Sequence, residues 1–588
     1  MAWWKRDRRY VTMIKALLLA LLPLVCCVVY CASQGKTIGQ VYLPGSEWND
    51  ELFYYKQVEG IVKYGYPYGY FGFNESHALK LSFAAWSPVL VWPWILWGLV
   101  FGWNLMSPVL CNIFLMMLCC FLFVWLVKPT WRQLGILTLL FSLYTPFVRY
   151  MLSVMPEVIC FSMLITFYSL AVNYLNKEKA YKLVLLFVLA GVMTLMRPYM
   201  LLFLLLPACF WVKRKGWKGL AGSCLVMVLV LGMYAGIKHY LGAEYFAPLF
   251  FTDWVEAFFE RGVFGGIRFT LGKLIRMGRD FAGHTVQGFR TGLASGAYFA
   301  GYLVMLCVLC VQSLRDWFRW RRERIRVPGK KNKKTGNKID GREEADNKET
   351  GSGEAGNKMA RGEEAGSRNR ESAGEVAGRA AGAGDKIRSL GKRLVIEVHL
   401  AFSFVAMLFA LLLMYKLTEG SKHLLTFMAA GIFLVALMET VAFKKAVLVG
   451  VTFAYFYTYM AVDPYDYQVP FVEPEQQEQV QAWQEVYGEV LSLTLEEKPG
   501  YSNVVIWVFS DRKGQETEST NIPWQLLYGL PEGMGISCCM SDYLLQNFTE
   551  LRSRYLFTLS GGEMDRMCGE AGYEELWRDQ DAVLYGRY

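Results

Sequence analysis

Apolar runs recur along this chain near the length of ~20 residues that crosses a ~30 Å hydrocarbon core, and short polar, often basic, stretches separate them. Residues 11–32, 105–127, 132–148, 156–174, 182–196, 198–212, 219–237, 294–312, 395–414, 423–439 and 446–462 each read as a span, eleven in all. The pattern predicts a polytopic α-helical membrane protein. Its first run is too long and its Tyr30 too bulky for a cleaved leader, so 11–32 reads as an anchor behind cytoplasmic Lys5, Arg6, Arg8 and Arg9. Counting from there puts the basic clusters at 128–132, 177–182, 213–218, 315–326 and 444–445 in the cytoplasm, as the bias of Lys and Arg toward that side requires.

Two stretches bend this pattern. Residues 83–103 are apolar enough to span, yet one more crossing would move every later basic loop outside. Trp86, Trp92, Trp94, Trp97 and Trp103, with Pro88 and Pro93, suit an interrupted helix at the outer interface instead. The hairpin at 182–212 has two short legs, and its turn leaves Arg197-Pro198 in or near the outer leaflet. Before 83 the outward segment starts with Asp50 and Glu51, then shows Leu52, Tyr55, Val58 and Val62 at helical spacing, predicting an amphipathic helix along the membrane surface.

Polar chemistry divides the rest. Residues 328–391 are rich in Gly, Lys, Arg and Glu and nearly free of aromatic residues, so they read as a disordered cytoplasmic linker. It separates a front block, 1–327, from trailing spans in 392–462. After 462 the apolar runs stop. A helix at 474–493 and strand-like runs at 503–509, 554–559 and 582–585 predict a small extracytoplasmic α/β domain over 463–588.

Composition alters this picture little. The chain of 588 residues is 54% hydrophobic with mean hydropathy +0.25, and its net charge of +10 lies in the loops, where it reports orientation and not a nucleic-acid partner. Of 14 cysteines, eleven lie in apolar segments as small hydrophobes, while Cys538, Cys539 and Cys568 leave room for one disulfide in the tail.

Ionisable groups beside apolar spans are costly and therefore candidates for function. Asp50 and Glu51 follow the first span, although Asp50 also suits a helix N-terminus. Glu157 opens a span after Pro156, and Arg149 ends the preceding one on the same face. Arg197 stands among apolar residues, cannot shed its charge and needs an anion. Lys422 and His423 open a late span, where the lysine also suits snorkelling to the interface. Carboxylates and cations gathered on one face suit a reaction between a water-exposed acceptor and a lipid-borne phosphate: a carboxylate takes the acceptor's proton and cations neutralise the departing phosphate.

In their order, "DE" at 50–51 before a Tyr-rich segment, "SVMPEV" at 153–158, "TLMRPYMLL" at 194–202 and "SKHLL" at 421–425 resemble the GT-C superfamily of integral-membrane glycosyltransferases. The likeness is to the branch of the dolichyl-phosphate-mannose protein mannosyltransferases and the lipid A aminoarabinose transferase. It covers most of 1–462 and implies a hexosyl- or pentosyltransferase that inverts the anomeric centre, using a polyprenyl-phosphate-linked sugar in a bacterial-type cytoplasmic membrane. The acceptor would be an envelope glycan, lipid or protein.

By this resemblance Asp50, Glu51 and Glu157 are the catalytic carboxylates, and Arg197, Lys422, His423 and Arg149 hold the donor phosphate, with Lys-His standing where Arg-Tyr is more usual. Divalent metal is needed in some branches and not in others. Tyr54, Glu75 and His77 are candidates for the acceptor or sugar, and Glu75 with His77 for a metal, beside a plain loop role. A transporter or flippase of lipid-linked sugars and an oligosaccharide polymerase or ligase remain as alternatives.

Overall fold

The computed structural model describes residues 2–41, 49–65, 71–73, 75, 87–241, 251–291, 294–326, 391–415, 417–437, 469, 471, 491, 500–509, 530–531, 534–578 and 582–587. The expected linker at 328–391 apart from Gly391, which opens a helix, the expected span at 446–462 and nearly all of the expected helix at 474–493 lie outside them, as does His77. The chain divides into two compact units, Met1–Val308 with Phe402–Tyr588, and Leu309–Ala401.

The first unit is mostly helical. Its helices are α1 (Ala2–Ser33), α2 (Asn49–Tyr64), α3 (Trp92–Phe101), α4 (Ser107–Val127), α5 (Trp131–Leu143), α6 (Thr145–Met151), α7 (Glu157–Asn176), α8 (Ala180–Met196), α9 (Leu205–Lys215), α10 (Trp217–Leu241) and α11 (Asp253–Thr291). They are followed by α12 (Ala294–Arg326), α13 (Gly391–Met414) and α14 (Leu417–Leu437). Six of the described helices are long and apolar enough to cross a membrane: Arg9–Ser33, α4, α7, α10, Phe299–Ile325 and α13. A seventh crossing arises if α5 and α6, bent by 63°, are taken together.

The expected runs at 182–196 and 423–439 fall on shorter apolar helices, and 198–212 splits into a 3-10 turn, Pro198–Leu204, and α9. The run at 132–148 breaks at Tyr144, two residues before Pro146, because the proline ring has no N–H to give and crowds the preceding turn. Helix α7 is the centre of the bundle, packed against α4, α8 and α14, with 78% of its apolar window buried. The smaller unit contains parts of α12 and α13, where Gln312 Nε2 donates to Asp316 Oδ2 at 2.6 Å and Gly391 leaves room for the Trp320 indole.

Two expectations change here. Helix α2 is not a surface helix, since Glu51, Leu52 and 54–60 are all buried. It packs on α3 so closely that a β-carbon at Gly98 would sit 2.7 Å from the Val62 side chain, and the Trp103 indole donates to the Tyr55 carbonyl at 3.2 Å. Trp94 is likewise no interfacial anchor: it is fully buried, with Nε1 donating to Asn112 Oδ1 at 2.9 Å.

The non-helical part of the described residues is a six-stranded sheet in the order β1-β3-β2-β4-β6-β5. Its strands are β1 (Phe71–Phe73), β2 (Val504–Phe509), β3 (Gly535–Met540), β4 (Tyr555–Leu559), β5 (Glu574–Arg578) and β6 (Ala582–Gly586), with helices α15 (Ser541–Asn547) and α16 (Glu563–Glu570). The first four strands in that order run parallel, and β6 and β5 close the sheet antiparallel. Thus 463–588 does not build the sheet alone, because β1 comes from the segment after the first span. Cys539 and Cys568 are buried in its core and are not joined by a disulfide.

Asp565 anchors the far side of this domain. Arg578 donates to both its oxygens, at 2.8 and 2.9 Å, while Gly561 N at 2.6 Å and the Tyr585 hydroxyl also donate to it. The Arg578 bonds, opposed by burial and helped by Tyr585 and Gly561, hold the Asp565 carboxyl well below the usual carboxylate range. A depressed folded-state pKa adds stability that is full above the unfolded value of 3.8 and is lost as pH falls below it. Asp565→Asn is therefore expected to cost about 1.5–3 kcal/mol near neutrality and to flatten the loss of denaturant midpoint on acidification. A wild-type acid profile in that variant would contradict the assignment.

A candidate active site at one end of the bundle

Four buried ionisable residues named by the sequence lie on or beside the segments that lead into α7, with Glu157 and Arg197 paired, Glu51 accepting from the turn before α7 and Arg149 in the helix before that turn. Glu157 is the first residue of α7, Arg149 lies in α6, Arg197 caps α8 and Glu51 lies in α2, each at most 1% exposed. The turn that delivers Arg149 and Glu157 is fastened on several sides. Ser153 Oγ donates to the Tyr150 carbonyl at 3.0 Å and accepts from Met155 N at 3.2 Å. Asn112 Nδ2 donates to the Ser153 and Tyr150 carbonyls at 3.0 and 3.4 Å, and Val154 N donates to Glu51 Oε1 at 3.3 Å. A line of hydrogen bonds thus runs from Trp94 through Asn112 and the turn to Glu51.

Arg197 reaches the site because Pro198 follows it. The residue before a proline is pushed out of the helical region, and Arg197 has φ −144°, ψ 119°, ending α8 at Met196. The anion that this arginine needs is in the protein: NH2 donates to Glu157 Oε1 at 2.8 Å. NH1 donates to the Tyr199 hydroxyl at 3.2 Å and lies 2.9 Å from His423 Nδ1. A guanidinium only donates, so Nδ1 must offer its lone pair, and the His423 ring is neutral with its proton on Nε2. Tyr199 and Tyr415 flank that ring at centroid distances of 5.6 and 5.3 Å. Glu157 Oε2 has no hydrogen-bond partner among the described residues.

The other expected residues are placed unevenly. Tyr54 is buried in α2. Asp50 and Lys422 have their backbones in α2 and α14, and their side chains, like all of His77, lie outside the described residues. Glu75 is buried but belongs to the sheet domain, where both carboxylate oxygens accept backbone N–H groups of Arg552 and Ser553.

Sequence reasoning did not single out Tyr199, Asn112 or the buried pair Lys56–Glu59 in α2, 2.9 Å apart. Of these only the i, i+3 charge spacing of the last is a local signal. Among the described residues, no group of three or more His, Cys, Asp or Glu side chains is arranged to hold a metal ion.

No protein-family profile and no curated protein matches the chain. Two solved structures are similar to it. One is the archaeal oligosaccharyltransferase AglB from Archaeoglobus fulgidus in complex with an inhibitory peptide and a dolichol-phosphate, with TM-score 0.43 and 12% identity over 93% of this chain and 69% of that one. The other is the Archaeoglobus fulgidus oligosaccharyltransferase tethered through a disulfide to an acceptor peptide containing the NVT sequon, with TM-score 0.43 and 11% identity over 95% and 70%.

Proposed function

We propose that this chain is a membrane glycosyltransferase that moves a sugar from a polyprenyl-phosphate donor to a cell-envelope acceptor on the outer face, with inversion at the anomeric carbon. The observation that carries the reading is the buried cluster of Glu157, Arg197 and His423 at the start of α7, with Glu51 bonded to the turn before that helix and buried Arg149 in the helix before the turn. Buried charges are expensive, and a chain that gathers several at one place keeps them for chemistry or for a structural pair.

In this reading the acceptor oxygen attacks the anomeric carbon as Asp50 takes its proton, and the carbon–oxygen bond to the phosphate breaks with its electron pair leaving on the lipid phosphate. Lys422 and Arg149 neutralise that phosphate. Arg197 is committed to Glu157, Tyr199 and His423, so its part is to hold His423 in one tautomer and orientation. Glu51, accepting from Val154 N, keeps the start of α2 against the turn before α7. Tyr-rich stretches around α2 offer rings for the sugar.

The test is sugar transfer by the purified full-length protein in proteoliposomes. Polyprenyl-phosphate monosaccharides and polyprenyl-diphosphate oligosaccharides are offered in parallel with an envelope extract. A labelled glycosidic product from a monophosphate donor is the expected result. Product from a diphosphate donor alone would replace this reading with an oligosaccharide ligase, and lipid that crosses the bilayer without forming a bond would replace it with a flippase.

A further inference from the structure

Glu75 has an unusual combination of features for a loop residue. Its backbone adopts φ 55°, in the left-handed region that residues other than glycine rarely visit and that surrounding structure must enforce. Its side chain is buried at 6% exposure, with Oε1 accepting from Arg552 N at 3.1 Å and Ser553 N at 2.6 Å, and Oε2 from Arg552 N at 3.0 Å. Its own N–H donates to Ser537 Oγ at 2.9 Å, and the Tyr501 hydroxyl donates to its carbonyl at 3.2 Å. Just before it, β1 joins the edge of the sheet parallel to β3, with Phe71, Gly72 and Phe73 in register with Ile536, Ser537 and Cys538. Backbone ladder and carboxylate act together as a clip.

A second tie holds the other end of the same segment. Val41 bridges Phe471, Val469 N donates to the Tyr30 hydroxyl at 3.0 Å, and the Tyr30 and Phe471 rings stack at 6.4 Å. Between the two ties lies α2, which carries Asp50, Glu51 and Tyr54 and contacts β1.

We propose that Glu75 is a positioning residue and that the C-terminal domain is a structural half of the active site, clipping the segment after the first span so that α2 is presented to the start of α7. The inference rests on the glycosyltransferase reading for its consequence on turnover. The clip itself is independent of that reading. It replaces a role for Glu75 in metal or acceptor binding, since its carboxylate is already engaged with backbone amides. Glutamine would keep one oxygen for both N–H groups but would set an NH2 against Arg552 N in place of Oε2, so alanine is the cleaner removal of the clip.

The experiment pins the clip covalently in the full-length protein. Phe73→Cys is expected to crosslink to the native cysteine at 538 under mild oxidation, and the crosslink is expected to vanish when Cys538→Ser is added. Glu75→Ala is expected to lower kcat about tenfold or more with donor KM within about twofold, and to speed protease cleavage between 41 and 87. In the Glu75→Ala, Phe73→Cys chain, oxidation is expected to restore turnover and protection, and reduction to remove both.

Absence of the Cys538-dependent crosslink would overturn the strand pairing. A crosslink with wild-type turnover in Glu75→Ala would overturn the positioning role. Should no donor support turnover even in the wild type, crosslinking and protection still decide whether the clip exists, while the glycosyltransferase reading fails separately.

Discussion

Arg197→Met is expected to lower the stability of the protein by about 3–5 kcal/mol, because it strands the Glu157 carboxylate inside the bundle. Both side chains are 1% exposed and 2.8 Å apart, so neither charge has water to fall back on. Glu157 Oε2 has no partner among the described residues, so losing the bond to Oε1 removes the arginine contact that balances this carboxylate. Glu157→Gln is expected to cost less, since the amide oxygen still accepts from NH2.

The double variant Arg197→Met, Glu157→Gln separates the pair from its packing. With both charges gone, it is expected to recover much of the loss, giving a coupling energy of about 0.5–3 kcal/mol. Unfolding in mixed micelles, followed by intrinsic tryptophan fluorescence, measures all three. Single and double variants within about 0.5 kcal/mol of wild type would mean that the ion pair contributes nothing to the fold.

How much of this was legible in the sequence depends on the range over which the signal acts. Charges at 50–51, 149, 157, 197 and 422–423 stood out because apolar neighbours make each one costly where it stands. The strands at 504–509, 555–559 and 582–586 show in runs of aromatic and β-branched residues. The pairing of Arg197 with Glu157 and His423 is between residues 40 and 226 positions apart, and no spacing rule reaches that far.

Local signals also failed in identifiable ways. Strand β1 is three residues inside a Tyr-Gly stretch, too short for alternation to register, and β3, "GISCCM", has a single β-branched residue. Helix α11 gives no span signal in the sequence. Its glycines and charges leave no apolar run of span length, and the helix changes direction at Gly262, whose φ of 69° suits glycine. Amphipathic spacing in α2 predicts the helix that forms, but spacing cannot say whether water, lipid or protein covers the polar side. Here the polar residues Lys56, Gln57 and Glu59 are buried as well.

Asp50→Asn is expected to reduce kcat by about 10²–10⁴-fold, the range for a general base removed without loss of shape. Asn keeps the volume and the capacity to accept a hydrogen bond at the start of α2, so unfolding of this variant is expected to track wild type. Glu51→Gln is the matched control. Glu51 is fully buried with Oε1 accepting from Val154 N, a bond that the glutamine oxygen can keep. A carboxylate with no exposure is a poor place for an acceptor hydroxyl to deliver its proton, so this variant is expected to lose less turnover than Asp50→Asn.

The pH profile carries the sharper distinction. A base must be ionised to work, so wild-type kcat/KM falls as pH drops through the pKa of that carboxylate, and the limb belongs to whichever residue abolishes it when replaced. Loss of the acid limb in Asp50→Asn assigns the base. Wild-type turnover in Asp50→Asn, with the limb and the rate both lost in Glu51→Gln, would move the proton transfer to the buried residue and require α2 to open before the acceptor can bind.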